Sequence, residues 1–174
     1  MSLKGKKIVI LVGPEFEDLE FWVPVMRLQE EGAAVIIAGP KAGMIFNGKN
    51  GIPAKAEVAF EEVDPAKVDA IVIPGGWAPD KLRRYESVKR LVRTLYDSNK
   101  IVAMICHAGL VGISAGIVNG HEATGSEGIK DDLINAGATW KDEPALRSGN
   151  LVWGRDVADI PAFCHELIKA LSKG

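Results

Sequence analysis

Cysteine is scarce in this chain: two residues in 174, Cys106 and Cys164, far apart and without a Cys-x-x-Cys spacing. That count excludes a disulfide framework and fits a reducing compartment, so we place the protein in the cytoplasm. No apolar run approaches the roughly 20 residues a membrane helix needs. The opening Met-Ser-Leu-Lys-Gly-Lys-Lys lacks the apolar stretch of a secretory signal. Charge of either sign is not in excess, with 21 Lys plus Arg against 23 Asp plus Glu. Nothing there calls for nucleic acid or a membrane surface as partner. Three histidines and two cysteines without close spacing make no metal site. There is no Gly-x-x-x-x-Gly-Lys-[Ser/Thr] phosphate loop, no internal repeat and no low-complexity linker. The expectation is a single globular domain over residues 1–174, with no metal and no cofactor.

What is present alternates strands with helices. Lys6–Val12 reads as a strand, broken by Gly13-Pro14. Glu15-Phe16-Glu17-Asp18 opens a helix to about Glu31, with Pro24 predicting a kink inside it. Ala34–Ala38 is a second strand, and a short hairpin is expected around Gly51 to Val58. Asp69–Ile73 is a third strand, followed by Pro74-Gly75-Gly76-Trp77 and a helix from Pro79 to Ser98. Ile129–Asn135 is a helix, and short strands are expected near 138–140, 145–148 and 151–153. Asp156–Lys173 closes the chain as an amphipathic helix with Ile160, Phe163, Cys164, Leu167, Ile168 and Leu171 on one stripe. Cys164 lies in that stripe, which marks it as an inert core thiol beside a surface His165. The order predicts an α/β fold: a doubly wound, mostly parallel sheet with helices on both faces.

Residues 101–116 stand at the centre of this plan. Five unbroken apolar residues, Ile101 to Ile105, read as a strand covered on both faces. Cys106-His107 follow, and the small residues 108–116 read as a tightly packed helix. A thiol on a strand-to-helix turn faces a helix N-terminus, an arrangement that lowers thiol pKa values and places nucleophiles. Glu15 and Glu17 follow the first strand, and Gly75-Gly76 the third. Ligands of doubly wound sheets bind at these strand ends, so the three segments are expected to converge. In that convergence Cys106 is the candidate nucleophile. The bare backbone of Gly75-Gly76 suits an oxyanion, and a buried Glu beside the sulfur would hold its proton and donate it. His107 is placed to polarise the thiol or shuttle protons, although adjacent residues at an elbow often point apart, which leaves a partner from elsewhere open.

These segments resemble the ThiJ/PfpI superfamily, closest to PfpI-type intracellular proteases. The resemblance is carried by Glu15-Phe16-Glu17-Asp18, Pro74-Gly75-Gly76 with Ala78-Pro79-Asp80, Ile105-Cys106-His107, and Gly128-Ile129-Lys130-Asp131-Asp132 with Asn135-Ala136-Gly137. It implies a flavodoxin-like fold with Cys106 as the reactive cysteine and Glu17 as the protonated glutamate on its sulfur. It further implies the amides of Gly76 and His107 as the oxyanion hole, and Gly75, Trp77 and Ser126 as pocket residues. Asp80 matches an acid that meets the histidine of a neighbouring subunit, which implies a homo-oligomer, a dimer or a hexamer. Four positions depart from the pattern. Ala108-Gly109 replace a common Gly-Pro, Ser126 a frequent Tyr, and Trp77 a frequent Arg.

The family's activities are peptide hydrolysis, cofactor-free conversion of methylglyoxal to lactate, and deglycation. The first expectation is therefore a cysteine-dependent enzyme acting on a small carbonyl substrate or a peptide through Cys106. The alternative is an oxidative-stress sensor without turnover that oxidises the same thiol.

Overall fold

The structure is a computed structural model and describes residues 2–172. The elements run in chain order as β1 (Lys7–Leu11), α1 (Asp18–Glu30), β2 (Ala34–Gly39), β3 (Ile45–Asn47), β4 (Pro53–Lys55), β5 (Val58–Ala59), β6 (Ala70–Ile73) and α2 (Ala78–Leu82). They continue as α3 (Glu86–Asp97), β7 (Ile101–Ile105), α4 (Gly109–Ser114), β8 (Glu122–Ala123), α5 (Lys130–Asn135), β9 (Thr139–Trp140), β10 (Ala145–Ser148), β11 (Leu151–Gly154) and α6 (Ile160–Ser172).

Seven strands form the main sheet in the order β10-β11-β7-β6-β1-β2-β5, all parallel except the edge strand β10. β6 and β7 are buried at every position, as unbroken apolar runs require in a sheet covered on both sides. On one face α1 packs against α6, and on the other α4 packs against α2 and α3. This is the doubly wound sheet expected from the sequence. The chain first builds outward from β1 through β2 to β5, then returns to lay β6 and β7 on the other side. The order reverses between β1 and β6, and a crevice opens outside the carboxyl ends of strands at such a reversal.

Several local expectations shift. The helix expected over Pro79 to Ser98 is two, α2 and α3, separated at 83–85. The first helix begins at Asp18 rather than among residues 15–17, and it continues through Pro24. The hairpin is β3 against β4, with its turn at 48–52, whereas β5 leaves it to join the edge of the main sheet. β8 and β9 form a separate two-stranded parallel ribbon. The expected last residue of the closing helix, Lys173, lies outside the described residues. No helix among the described residues is long and apolar enough to cross a membrane.

Candidate active site

Cys106 leaves β7 in the left-handed region, with φ at 60°. A non-glycine residue held there costs on the order of 1–3 kcal/mol and persists only where its surroundings impose it. Here they do: the Cys106 carbonyl accepts the Ser126 N–H at 3.1 Å, and a single 3-10 turn carries the chain into α4. The elbow thus aims the side chain at the crevice. Its Sγ lies 3.2 Å from Nδ1 of the adjacent His107. The two neighbours therefore face each other and do not splay apart. The backbone N–H groups of Gly76 and His107 lie near the sulfur and favour negative charge on it.

Gly75 and Gly76 close the opposite wall. Gly76 has φ of 75° and bridges to Phe16. A Cβ on Gly75 would stand 2.4 Å from Glu20 Oε2 and 2.7 Å from the Cys106 Cβ, so only glycine permits this approach. Gly75 does not line the cavity. Its N–H donates to Glu20 Oε2 at 2.8 Å and its carbonyl accepts the Glu17 N–H at 3.1 Å.

The glutamate against the sulfur is Glu20, and the expectation of Glu17 is corrected. Because α1 starts at Asp18, Glu17 is its N-cap and turns back on its own helix, accepting the Glu20 N–H at 2.8 Å. Glu20 falls on the buried face of that helix with Phe21, Pro24, Val25 and Leu28, and no part of it is exposed. A sequence signal existed: Glu20, Pro24 and Leu28 follow a four-residue spacing, so Glu20 is a charged residue on an apolar stripe.

Burial, then the charge of Glu17, pushes the Glu20 carboxyl up to about 7. Burial, then the neighbouring Glu20, pushes the Cys106 thiol up to about 12. The lowered thiol pKa expected from a helix N-terminus is thus overturned: α4 has only six residues, and desolvation beside an acid opposes the charge. The two groups resist being charged together, so above about pH 7 the pair shares one proton and one negative charge. Glu20 Oε1 has no hydrogen-bond partner among the described residues. An orphan oxygen in apolar surroundings fits a carboxyl that keeps its proton and turns it toward a thiolate. His107 is held below the usual imidazole range by burial and then by Lys49, which keeps it neutral and able to accept a proton.

Beside this centre opens a cavity of about 650 Å³ lined by Glu15, Gly76, Trp77, Asp80, Lys81, His107, Leu110, Gly128, Ile129 and Asp132. The Trp77 ring lies 5.9 Å from the His107 ring and is 55% exposed, so it forms an outer wall. Ser126 acts through its backbone and as the cap of the next turn, where its hydroxyl accepts the Gly128 N–H at 3.4 Å. The wall expected from Ser126 is formed by Gly128 and Ile129. Asp80 shares the cavity with His107, but its carboxylate pairs with Arg84, and His107 Nε2 has no hydrogen-bond partner among the described residues. Sequence reasoning missed Glu20, Lys81, Leu110 and Asp132. Apart from Glu20 these residues carry no chemical signature and join the site only through folding. Among the described residues no cluster of three or more His, Cys, Asp and Glu could hold a metal.

The DJ-1/PfpI family matches residues 6–170. The chain belongs to the DJ-1/PfpI family. Deglycase PfpI of Pyrococcus furiosus is 42% identical over 165 residues, covering 95% of this chain and 99% of the relative. Protein/nucleic acid deglycase 2 of Escherichia coli is 36% identical over 169 residues, covering 96% and 98%. DJ-1beta of Drosophila melanogaster superposes with a TM-score of 0.90 at 23% identity, over 97% of this chain and 91% of that one, and shares the fold.

Proposed function

We propose that this DJ-1/PfpI protein is a cysteine-dependent enzyme acting on carbonyl substrates, with small 2-oxoaldehydes and their adducts favoured over peptides. The observation that carries this reading is the meeting of the Cys106 sulfur with Glu20, His107 Nδ1 and two backbone N–H groups, beside a cavity that Gly76 and His107 line. The deglycase names of its relatives support the same chemistry.

The reactive form is the one in which Glu20 holds the shared proton and the sulfur the charge. The thiolate adds to the aldehyde carbon, forming the C–S bond, and the carbonyl electron pair moves to oxygen. The N–H groups of Gly76 and His107 stabilise negative charge at this position. Neutral His107 takes a proton from the carbon that was the aldehyde and returns one to the neighbouring carbon. The resulting thioester is cleaved by water, which releases a 2-hydroxy acid and restores the thiol. No electron acceptor is needed, because one carbon is oxidised as its neighbour is reduced.

The reading extends to a cytoplasmic homo-oligomer in which Asp80 of a second copy orients His107 Nε2. Exposed Leu19, Met26, Ile45 and Ile52 on α1 and the β3–β4 hairpin support association. The test is methylglyoxal consumption with lactate quantified. Lactate from the wild type and none above background from Cys106→Ser is expected; equal rates from both would overturn the assignment.

A further inference from the structure

The turn of the β3–β4 hairpin is locked over the site. Asp18, 1% exposed, receives the Asn50 and Ile52 N–H groups at 2.8 Å each. The Lys49 N–H donates to the Phe16 carbonyl at 2.9 Å, and the Glu15 N–H to the Asn47 carbonyl at 3.2 Å. Gly48 presses so closely that a Cβ there would stand 2.4 Å from the Asp18 carboxylate. The backbone of Lys49 is therefore held beside the segment that leads into α1, while its side chain stays exposed. Its ammonium lies 5.9 Å from the centre of the Trp77 ring, the outer wall of the cavity.

The other cations at this mouth are neutralised. Lys81 pairs with Glu15 at 2.6 Å, and Arg84 pairs with Asp80. Lys49 forms no salt bridge among the described residues, and its charge reaches both Glu20 and His107. A cation on a rigid turn, against the Trp77 wall of the cavity, is a receptor for an anionic group that enters with the reacting carbon.

We propose that Lys49 selects carbonyl substrates that carry a carboxylate, holding the carboxylate on the Trp77 side of the cavity while Cys106 attacks the carbonyl. This rests on the carbonyl reading above. The ammonium–carboxylate contact would replace the ammonium–indole contact, so the side chain has only to swing from ring to ligand.

The test uses two alkylating reagents of nearly equal size, anionic iodoacetate and neutral iodoacetamide, on the full chain as wild type, Lys49→Met and Lys49→Arg. Rate constants for Cys106 are read by peptide mass spectrometry at low salt. A change in the thiol's own reactivity moves both reagents alike and cancels in their ratio. We expect the iodoacetate-to-iodoacetamide ratio to fall about threefold or more in Lys49→Met, as one unscreened charge at such a range implies. Lys49→Arg should preserve it, and added salt should lower the wild-type ratio toward that of Lys49→Met. A fall of less than twofold in Lys49→Met, or no alkylation of Cys106 by either reagent, overturns the proposal. Alkylation needs no turnover, so the carbonyl reading fails separately, by absence of lactate from the wild type.

Discussion

The molecule contains the dipeptide Cys-His twice, and the two copies share almost nothing else. Cys106-His107 follows a buried strand, with the cysteine at φ 60° and its sulfur 3.2 Å from the imidazole. Cys164-His165 sits inside α6, where Cys164 is 3% exposed and faces the core. Burial raises both thiols, Cys164 to about 11 and Cys106 to about 12. The difference is what else is present. At Cys106 a second acid competes for the proton and amide donors await a negative sulfur, so charge on this sulfur is provided for. At Cys164 nothing but burial raises the pKa, and the thiol stays a small hydrophobe. On the proposed reading, reactivity belongs to the elbow and its neighbours, not to the residue pair.

The largest effect that would break this contrast is on turnover. Cys106→Ser should lower methylglyoxal conversion on the order of 10³-fold or more, whereas Cys164→Ser should change it less than about twofold. Comparable losses in both would place the chemistry elsewhere.

Next in size is the pH dependence set by Glu20. Its folded pKa of about 7 lies above the ordinary 4.5, so the folded state binds the proton more tightly. Its contribution is complete below pH 4.5 and is lost as pH rises through 7. Between pH 5 and pH 8 the unfolding free energy of Glu20→Gln should gain about 2.5 kcal/mol on the wild type, as measured by urea titration at the two pH values. The difference between the two proteins removes the opposite slope from His107, whose depressed pKa costs stability toward acid. A difference that does not change with pH would mean that Glu20 is ionised throughout.

Oxidation sharpens the contrast further. Mild peroxide should add two oxygens to Cys106 and none to Cys164 by peptide mass spectrometry, with roughly tenfold selectivity or better. Equal modification of both would show that the elbow confers no special access. The smallest effect is expected at Asp80, whose exposed carboxylate is worth up to about 1 kcal/mol in an ion pair, or about fivefold in rate. Asp80→Asn should lower kcat by that factor at concentrations where the protein self-associates, and the loss should shrink on dilution, with assembly followed by light scattering.

Much of this was legible in the chain itself. Unbroken apolar runs at Ile8–Val12, 71–73 and 101–105 announced buried parallel strands, because only strands covered on both faces lack alternation. Cys106 stood out because a nucleophile type directly followed such a run. The resemblance assigned Glu17 to the sulfur, and a cap and a site residue look alike when the helix start is uncertain by a single turn. The start at Asp18 turned Glu17 back on its own helix and put Glu20 under the sulfur. The resemblance set Asp80 against the histidine of a neighbouring subunit, but its pairing with Arg84 needed the helix turn that joins them.

The sequence by itself determined the strand order's raw material, the elbow, the two glycines and the inert character of Cys164. Each follows from local periodicity or from the conformations a residue type permits. Only the tertiary structure decided which glutamate meets the sulfur, that His107 turns toward Cys106, and that a hairpin more than 50 residues upstream brings Lys49 to the cavity mouth. Those outcomes depend on distances between segments remote in sequence, and on desolvation, which exists only once the segments have closed around the site.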